Sequence, residues 1–530
     1  MTNSSYDELP YHSVLGYDFQ PNALASLSAL HGFSPPALKK ARILELGCGD
    51  GTNIIAIAQS LPETECWGLD ISEKQLATAQ QTVDEIGLSN VTLKRIDLLD
   101  INDSLGQFDY ISVHGLFSWV SEELQNKILS ICKNNLAFNG LACISYNTLP
   151  GWNMLKTSLD MMRYHQQHID NSSIEHRIAE ARGLLQIASD IGQEQQSFYG
   201  VFLQERLQTL SQQSDDYLFH EYLEGVNQPL YFHEFVTKLE QNELAYVTDV
   251  DFRSSLNIKT KHQHVFNQLA KKDRVTREQY HDFLFNRSYR SSILCHAKQK
   301  IQSDISWEAL AKLQIAANLA PETNISSLVV EPKPAHFKTQ LGQRVEVKHT
   351  LTQAAVNYLG QYYPKPIPFE DLFKKVLENM QLKNETEHNI KIYRQVLAEE
   401  LLQLYIQSGN VIELMAYTPA FVTKISVRPV SSPLARWQLK NKKPMANLQC
   451  KTGEIDGLTS HVLLHLDGEH STDDLVKMLH EQVKQGQLQV QIDESKLPEN
   501  QTKEQAIQDT LITAVNNILA NIAKNALLVA

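Results

Sequence analysis

The segment Leu44-Glu45-Leu46-Gly47-Cys48-Gly49-Asp50-Gly51 holds the residue types and spacing with the clearest chemical meaning. Glycines in a strand-to-helix turn permit positive φ, let the backbone pass close to a ligand and aim helix N-terminal amides at it. Dinucleotides use such turns too, so the glycines alone do not choose the ligand. The acids that follow narrow the choice. Asp70 comes after Cys66-Trp67-Gly68-Leu69, about 20 residues on, where a carboxylate accepts from both hydroxyls of a ribose. Asp97, at the end of the next strand, is placed to accept from an adenine amino group. In Glu45-x-Gly-x-Gly-x-Gly the second and third glycines are two apart, unlike the Gly-x-Gly-x-x-Gly dinucleotide form. The expected cofactor is S-adenosylmethionine and the expected chemistry is methyl transfer. A glycine-rich turn with two unrelated acids is the plain alternative.

A sheet must position these residues. Arg42 to Leu46, Cys66 to Leu69, Val91 to Arg95, Tyr110 to Val113 and Leu141 to Tyr146 read as strands. Helical segments over Asn53 to Ser60, Glu73 to Ile86 and Glu122 to Asn134 alternate with them. That alternation implies βαβ units and an α/β, Rossmann-like, doubly wound parallel sheet. Met154 to His168, Ile174 to Ile187 and Phe198 to Leu210 read as helices, and residues 216–300 are mixed and aromatic-rich. Asn324 to Lys348, with Pro332 and Pro334, reads as a boundary. Helices over Leu351 to Tyr362, Phe369 to Met380 and Tyr393 to Ser408, then strands Val411 to Leu414 and Val422 to Val427, outline a winged helix. Ile455 to Leu466, Thr472 to Gln482, a strand over Gln487 to Ile492 and a helix from Glu504 outline a second small unit. The expected segments are a cofactor-binding methyltransferase domain (1–165), a helical and regulatory domain (166–325) and two winged-helix-like domains (326–428 and 429–530).

Bulk properties exclude several classes. A chain of 530 residues holds three or four domains at ~150 residues each. A net charge of -13 argues against sequence-independent coating of DNA. The third helix of the first winged unit has one arginine, Arg394, no lysine, and the acids Glu399 and Glu400, a poor face for phosphates. Nucleic acid is therefore not an expected partner, and the winged units read as protein-binding modules. Met1 to Glu8 lacks the marks of a signal peptide, and no apolar run reaches roughly 18 residues, so a cytoplasmic protein without a membrane span is expected. The six cysteines form no CxxC pair and read as reduced core thiols. Cys295-His296 with His281 fits no common zinc pattern, so no metal is expected.

Further stretches carry a family resemblance. They are Tyr6 to Tyr11, Leu44 to Gly51, His114 to Val120 and Ser145 to Trp152. Tyr222 to Pro229, Phe232 to Phe235 and Asp282 to Arg287 follow beyond them. Over its whole length the chain resembles the bacterial class I methyltransferases that carry a methyltransferase regulatory domain, the group containing rickettsial outer-membrane-protein lysine methyltransferases. The expected cofactor contacts are Glu45, Gly47, Cys48, Gly49, Gly51 and Asn53 at the turn. Asp70, Ile71 and Gln75 follow the second strand, Asp97 and Leu98 the third, and His114 the fourth. The resemblance makes Tyr6 and Tyr11 a lid over the cofactor, with ordinary N-terminal packing as the alternative.

Methyl transfer is an in-line displacement, so the protein mainly positions two groups and excludes water. A lysine acceptor must lose its proton, and from a pKa near 10.4 the neutral amine costs roughly 4–5 kcal/mol at pH 7. A positive sulfonium and a dehydrated pocket favour the neutral amine. Tyr146, Asn147 and His114 are the candidates to orient the amine, while Trp119 and Trp152 wall the pocket. Core packing is the competing reading for both tryptophans, and His114 equally suits the cofactor carboxylate. After the fourth strand stands His114-Gly115-Leu116-Phe117, not the Asn/Asp-Pro-Pro-aromatic run of enzymes that methylate bases or glutamine. The leading expectation is a protein lysine methyltransferase acting on a protein or peptide. A small-molecule methyltransferase and a cofactor-binding regulator with winged interaction modules are the alternatives. A homodimer is compatible with each.

Overall fold

The computed structural model describes residues 5–11, 13–16, 19–102, 105–169, 173–223, 225–256, 260–322, 334–339, 342–407, 409–492 and 501–529. Two compact units emerge: residues 1–54, 64–81 and 91–305 in the first, and 55–63, 82–90 and 306–530 in the second.

The first unit is built on a seven-stranded sheet. Its strands are Arg42–Leu46 (β1), Glu65–Asp70 (β2), Val91–Arg95 (β3), Phe108–Val113 (β4), Leu136–Asn147 (β5), Leu244–Asp249 (β6) and Tyr289–His296 (β7). Their order is β3-β2-β1-β4-β5-β7-β6. β1 to β5 are parallel, and β7 runs antiparallel to both β5 and β6. Central strands covered on both faces need continuous apolar runs, which is why β1 and the second half of β5 are buried almost throughout. Leu44, Leu46, Ile111, Val113, Ile128, Ile144 and Phe235 share one core. The chain leaves β1 toward β2 and returns to β4 on its other side, so the loops after β1 and β4 diverge and open a crevice at the carboxyl ends of the strands.

The expected strands β1 to β5 are present, with β2, β4 and β5 longer than read. β6 and β7 come from the stretch read only as mixed, and they complete the same sheet. Between β5 and β6 lie helices Gly151–Gln166, Ile174–Glu194 and Phe198–Ser211, followed by a π-helical turn, Phe219–Leu223. The second and third helices touch backbone to backbone, for a Cβ on Gly200 would lie 2.2 Å from the carbonyl carbon of Gly192.

In the second unit, Gln314–Ala317 (β8) pairs antiparallel with Ile367–Pro368 and with Ile412–Met415. Helices Thr350–Tyr362, Phe369–Asn379 and Glu387–Gln407 accompany this sheet. The expected hairpin is corrected here: Ile412–Met415 takes its partner from β8 upstream, and Val422 to Val427 is not a strand. Nor is Gln487 to Ile492, since among the described residues neither segment has a strand to pair with. The expected boundary at Asn324 to Lys348 contains the antiparallel pair Ala335–Lys338 and Arg344–Val347, while residues 323–333 lie outside the described residues. The helices Gly457–Leu464, Thr472–Lys484 and Lys503–Lys524 close a separate core with Val462, Leu475, Val515 and Leu519. Among the described residues no helix is long and apolar enough to cross a membrane.

Candidate active site

The crevice beside β1 and β4 deepens into a cavity of about 290 Å³. Its floor is the glycine-rich turn. Gly47 and Gly49 take φ of 72° and 54°, a region costly for other residues. Gly47 N and Cys48 N both donate to Leu69 O, which ties the turn to the end of β2. Gly49 N donates to Asp70 Oδ2 and Ser72 N to Asp70 Oδ1, each at 2.8 Å, so the carboxylate is fixed facing the turn. A Cβ on Gly49 would come within 2.8 Å of Ser13 Oγ. The turn is thus a cradle that only glycine leaves open.

Asp97 caps the short turn after β3, accepting from Leu99 N at 3.0 Å, and lines the cavity with Ile96 and Leu98. Glu45 is 2% exposed, and among the described residues its Oε2 has no hydrogen-bond partner. Burial pushes its carboxyl up to about 8. An orphaned acidic oxygen beside the turn suits a cationic or donor group of a ligand. His114, just past β4, stacks on Phe19 and faces Asn53 Nδ2 through Nδ1 at 3.3 Å. Asn53 Oδ1 in turn accepts from Gly16 N at 2.7 Å. Burial pushes the His114 imidazole down to about 4, so it is neutral around pH 7.

The N-terminal segment covers the cavity. Ser72 Oγ donates to Asp7 Oδ1 at 2.7 Å on one side, and Tyr11 Oη donates to Glu221 Oε1 at 3.4 Å on the other. His220 Nε2 bonds Leu9 O at 2.7 Å, and its ring meets Tyr11 edge-on. Tyr6 falls in the helix Ser5–Glu8, but its side chain lies outside the described residues.

Glu45, Gly47, Cys48, Gly49, Asn53, Asp70, Ile71 and Gln75 all line the cavity, and so do Asp97, Leu98, His114, Trp119 and Tyr11. Gly51 sits just below, where its N–H closes the turn onto Cys48 O. Three expected residues stand apart. Tyr146 is 1% exposed, stacks on Phe235 and directs its hydroxyl toward Ser292 Oγ at 3.4 Å. Asn147 is buried, its N–H bound to Ser118 Oγ. Trp152 packs edge-on behind Trp119 in the core of the helical insertion. Ser13, Leu116, Val120, His220 and Glu221 line the cavity without having been expected. The last two adjoin the conspicuous run Tyr222 to Pro229, the one signal that pointed near them.

These groups fit S-adenosylmethionine: two acids at the ends of β2 and β3, glycine amides at the floor, and an orphaned carboxylate beside them. Comparisons with known proteins agree. Residues 43–140 match a methyltransferase domain model, 214–296 a predicted methyltransferase regulatory domain, and 428–527 a PKMT C-terminal winged helix domain. An uncharacterised protein of Rickettsia prowazekii (strain Madrid E) is 30% identical over 99% of this chain and 94% of its own length. The structure of PKMT2 from Rickettsia typhi in complex with AdoHcy is 29% identical, covers 98% of this chain and 100% of that one, and superposes with a TM-score of 0.82. With its cofactor cavity and three matching family models, the chain belongs to the S-adenosylmethionine-dependent methyltransferases that carry a regulatory domain and a PKMT-type winged helix domain.

Proposed function

We propose that the protein transfers methyl groups to lysine side chains of a protein substrate. One observation carries this reading: among the described residues the cavity is lined by four acidic side chains, Glu45, Asp70, Asp97 and Glu221, and by no lysine or arginine. Such a lining attracts cationic ligands. The cofactor, when bound, supplies an electrophilic methyl on a positive sulfur. Asp70 would accept from its ribose and Asp97 from its adenine, while Glu45, the Gly47 to Gly49 amides, Asn53 and neutral His114 would hold its amino-acid end. Trp119 walls the acceptor side, braced by Trp152, and Tyr146 and Asn147 hold the end of β5 in place. Similarity to PKMT2 beyond the cofactor domain supports a polypeptide substrate. The segments 326–428 and 429–530 would present that chain.

The test is to incubate the protein with isotope-labelled S-adenosylmethionine and a soluble bacterial proteome, then map label by peptide mass spectrometry. Label on lysine side chains is expected. Label confined to small molecules, or to other residues, would overturn the reading.

A further inference from the structure

We propose that Glu221, on the π-helical turn Phe219–Leu223, receives the ammonium group of the methyl acceptor and takes its proton. The inference rests on the lysine reading above and deepens it by naming the acceptor's contact.

The geometry is specific. Glu221 lines the same cavity as the glycine-rich turn, but it arrives from the helical insertion and not from the strand ends. Asp70 is held by backbone N–H groups of the glycine-rich turn and of its own loop, and Asp97 by one of its own loop. Glu221 has no such support. Among the described residues its carboxylate accepts one hydrogen bond, the 3.4 Å contact from Tyr11 Oη, and forms no ion pair. An inward carboxylate without a cation is costly, and an incoming ammonium removes that cost. Tyr11, Trp119 and His220 share the cavity wall, and aromatic faces favour an alkylammonium. A single π-helical turn is an uncommon element that recurs at functional sites.

The groups around it agree with proton transfer. Burial pushes the Glu221 carboxyl up to about 7. Tyr11, Tyr217, Tyr222 and Asp216 are titratable groups nearby, with His220 next to it in the chain. A carboxylate of that proton affinity accepts from an ammonium near neutral pH far more readily than an ordinary one. In the step, one N–H bond of the acceptor breaks and an O–H bond forms on Glu221, which leaves a lone pair on nitrogen. That pair takes the methyl carbon as the carbon–sulfur electrons stay on sulfur. The proton on Glu221 passes to water.

The experiment is calorimetry on the full chain loaded with S-adenosylhomocysteine at pH 8. The probes are Nα-acetyl-lysine amide and its uncharged analogue Nα-acetyl-norleucine amide. The wild type is expected to prefer the lysine probe about tenfold or more. Glu221→Gln is expected to lose the preference, Glu221→Asp to keep part of it, and both to bind the cofactor product within about twofold of wild type. A preference kept by Glu221→Gln would overturn the assignment and leave the lysine reading intact. A roughly tenfold loss of cofactor-product affinity in Glu221→Gln would reassign the carboxylate to the cofactor. A wild type that does not distinguish the probes would overturn the amine reading and the role of Glu221 with it.

Discussion

Arg290 Nη2 lies 2.7 Å from Asp282 Oδ1, and neither side chain is exposed to solvent. The same guanidinium reaches Asp249 and Glu278 and lies over the Phe232 ring at 4.1 Å. Asp249 accepts from Ser292 Oγ, which meets the Tyr146 hydroxyl. One buried arginine therefore ties together β5, β6, β7 and the helix Arg274–Phe285.

Removing that arginine leaves Asp249 and Asp282 with only the longer Arg287 contacts, at 3.4 and 3.7 Å, and takes from Glu278 the guanidinium that lies 3.3 Å away. Arg290→Met is expected to destabilise the protein by about 3–5 kcal/mol, the usual cost of breaking a buried pair from one side. Differential scanning calorimetry should show a transition many degrees lower. An unchanged transition would show that the cluster tolerates its own loss of charge.

Glu45 makes stability depend on pH. Its folded carboxyl is raised to about 8 from an ordinary value near 4.5, so its contribution is complete below that ordinary value and is lost as pH rises through 8. Glu45→Gln does not titrate. The melting temperature of the cofactor-free variant should therefore gain on wild type between pH 6 and pH 9, while its cofactor affinity falls about tenfold. A constant difference in melting temperature would contradict the burial account.

His114 should stay neutral across the physiological range. With the imidazole near 4, its Cε1 proton resonance should be flat from pH 8 to about 5.5 and titrate only below that. A midpoint near 6.5 in the NMR titration would show a solvated ring.

Two glycines of one helix should respond oppositely to alanine. A Cβ at Gly192 meets Gly200 Cα at 2.5 Å, so Gly192→Ala must part the two helices, at a cost of about 1–3 kcal/mol. A Cβ at Gly183 meets nothing within 4 Å, so Gly183→Ala should stabilise the helix by about 0.5–1 kcal/mol. Thermal melts of the two variants check the signs.

The cofactor half of the site is legible in the sequence because its groups sit at or beside strand ends, and apolar runs in β1 and β4 with short apolar or β-branched stretches in β2 and β3 mark those strands. Glu45, Asp70, Asp97 and His114 need only β1 to β4 to be placed. Other features depend on distant partners. β7 carries Arg290 as its second residue, one that no strand pattern would bury, and it is buried because Asp249 and Asp282 meet it there. Tyr146 ends a strand whose residues point alternately to two faces, and the face toward Phe235 and Ser292 is chosen by β7. Glu221 reaches the cavity through a π-helical turn that no periodicity announces. The expected strand at Gln487 to Ile492 has suitable residues but no partner strand.

The central claim is that the glycine-rich turn after β1 holds S-adenosylmethionine. It is tested most directly by calorimetric titration of the cofactor into wild type and Gly47→Arg. A Cβ at Gly47 already stands 3.0 Å from Leu116 Cδ2, and φ there is 72°, so an arginine would fill the floor of the cavity. The account predicts saturable binding to the wild type and none to the variant. Equal binding by both, or none by the wild type, would contradict it.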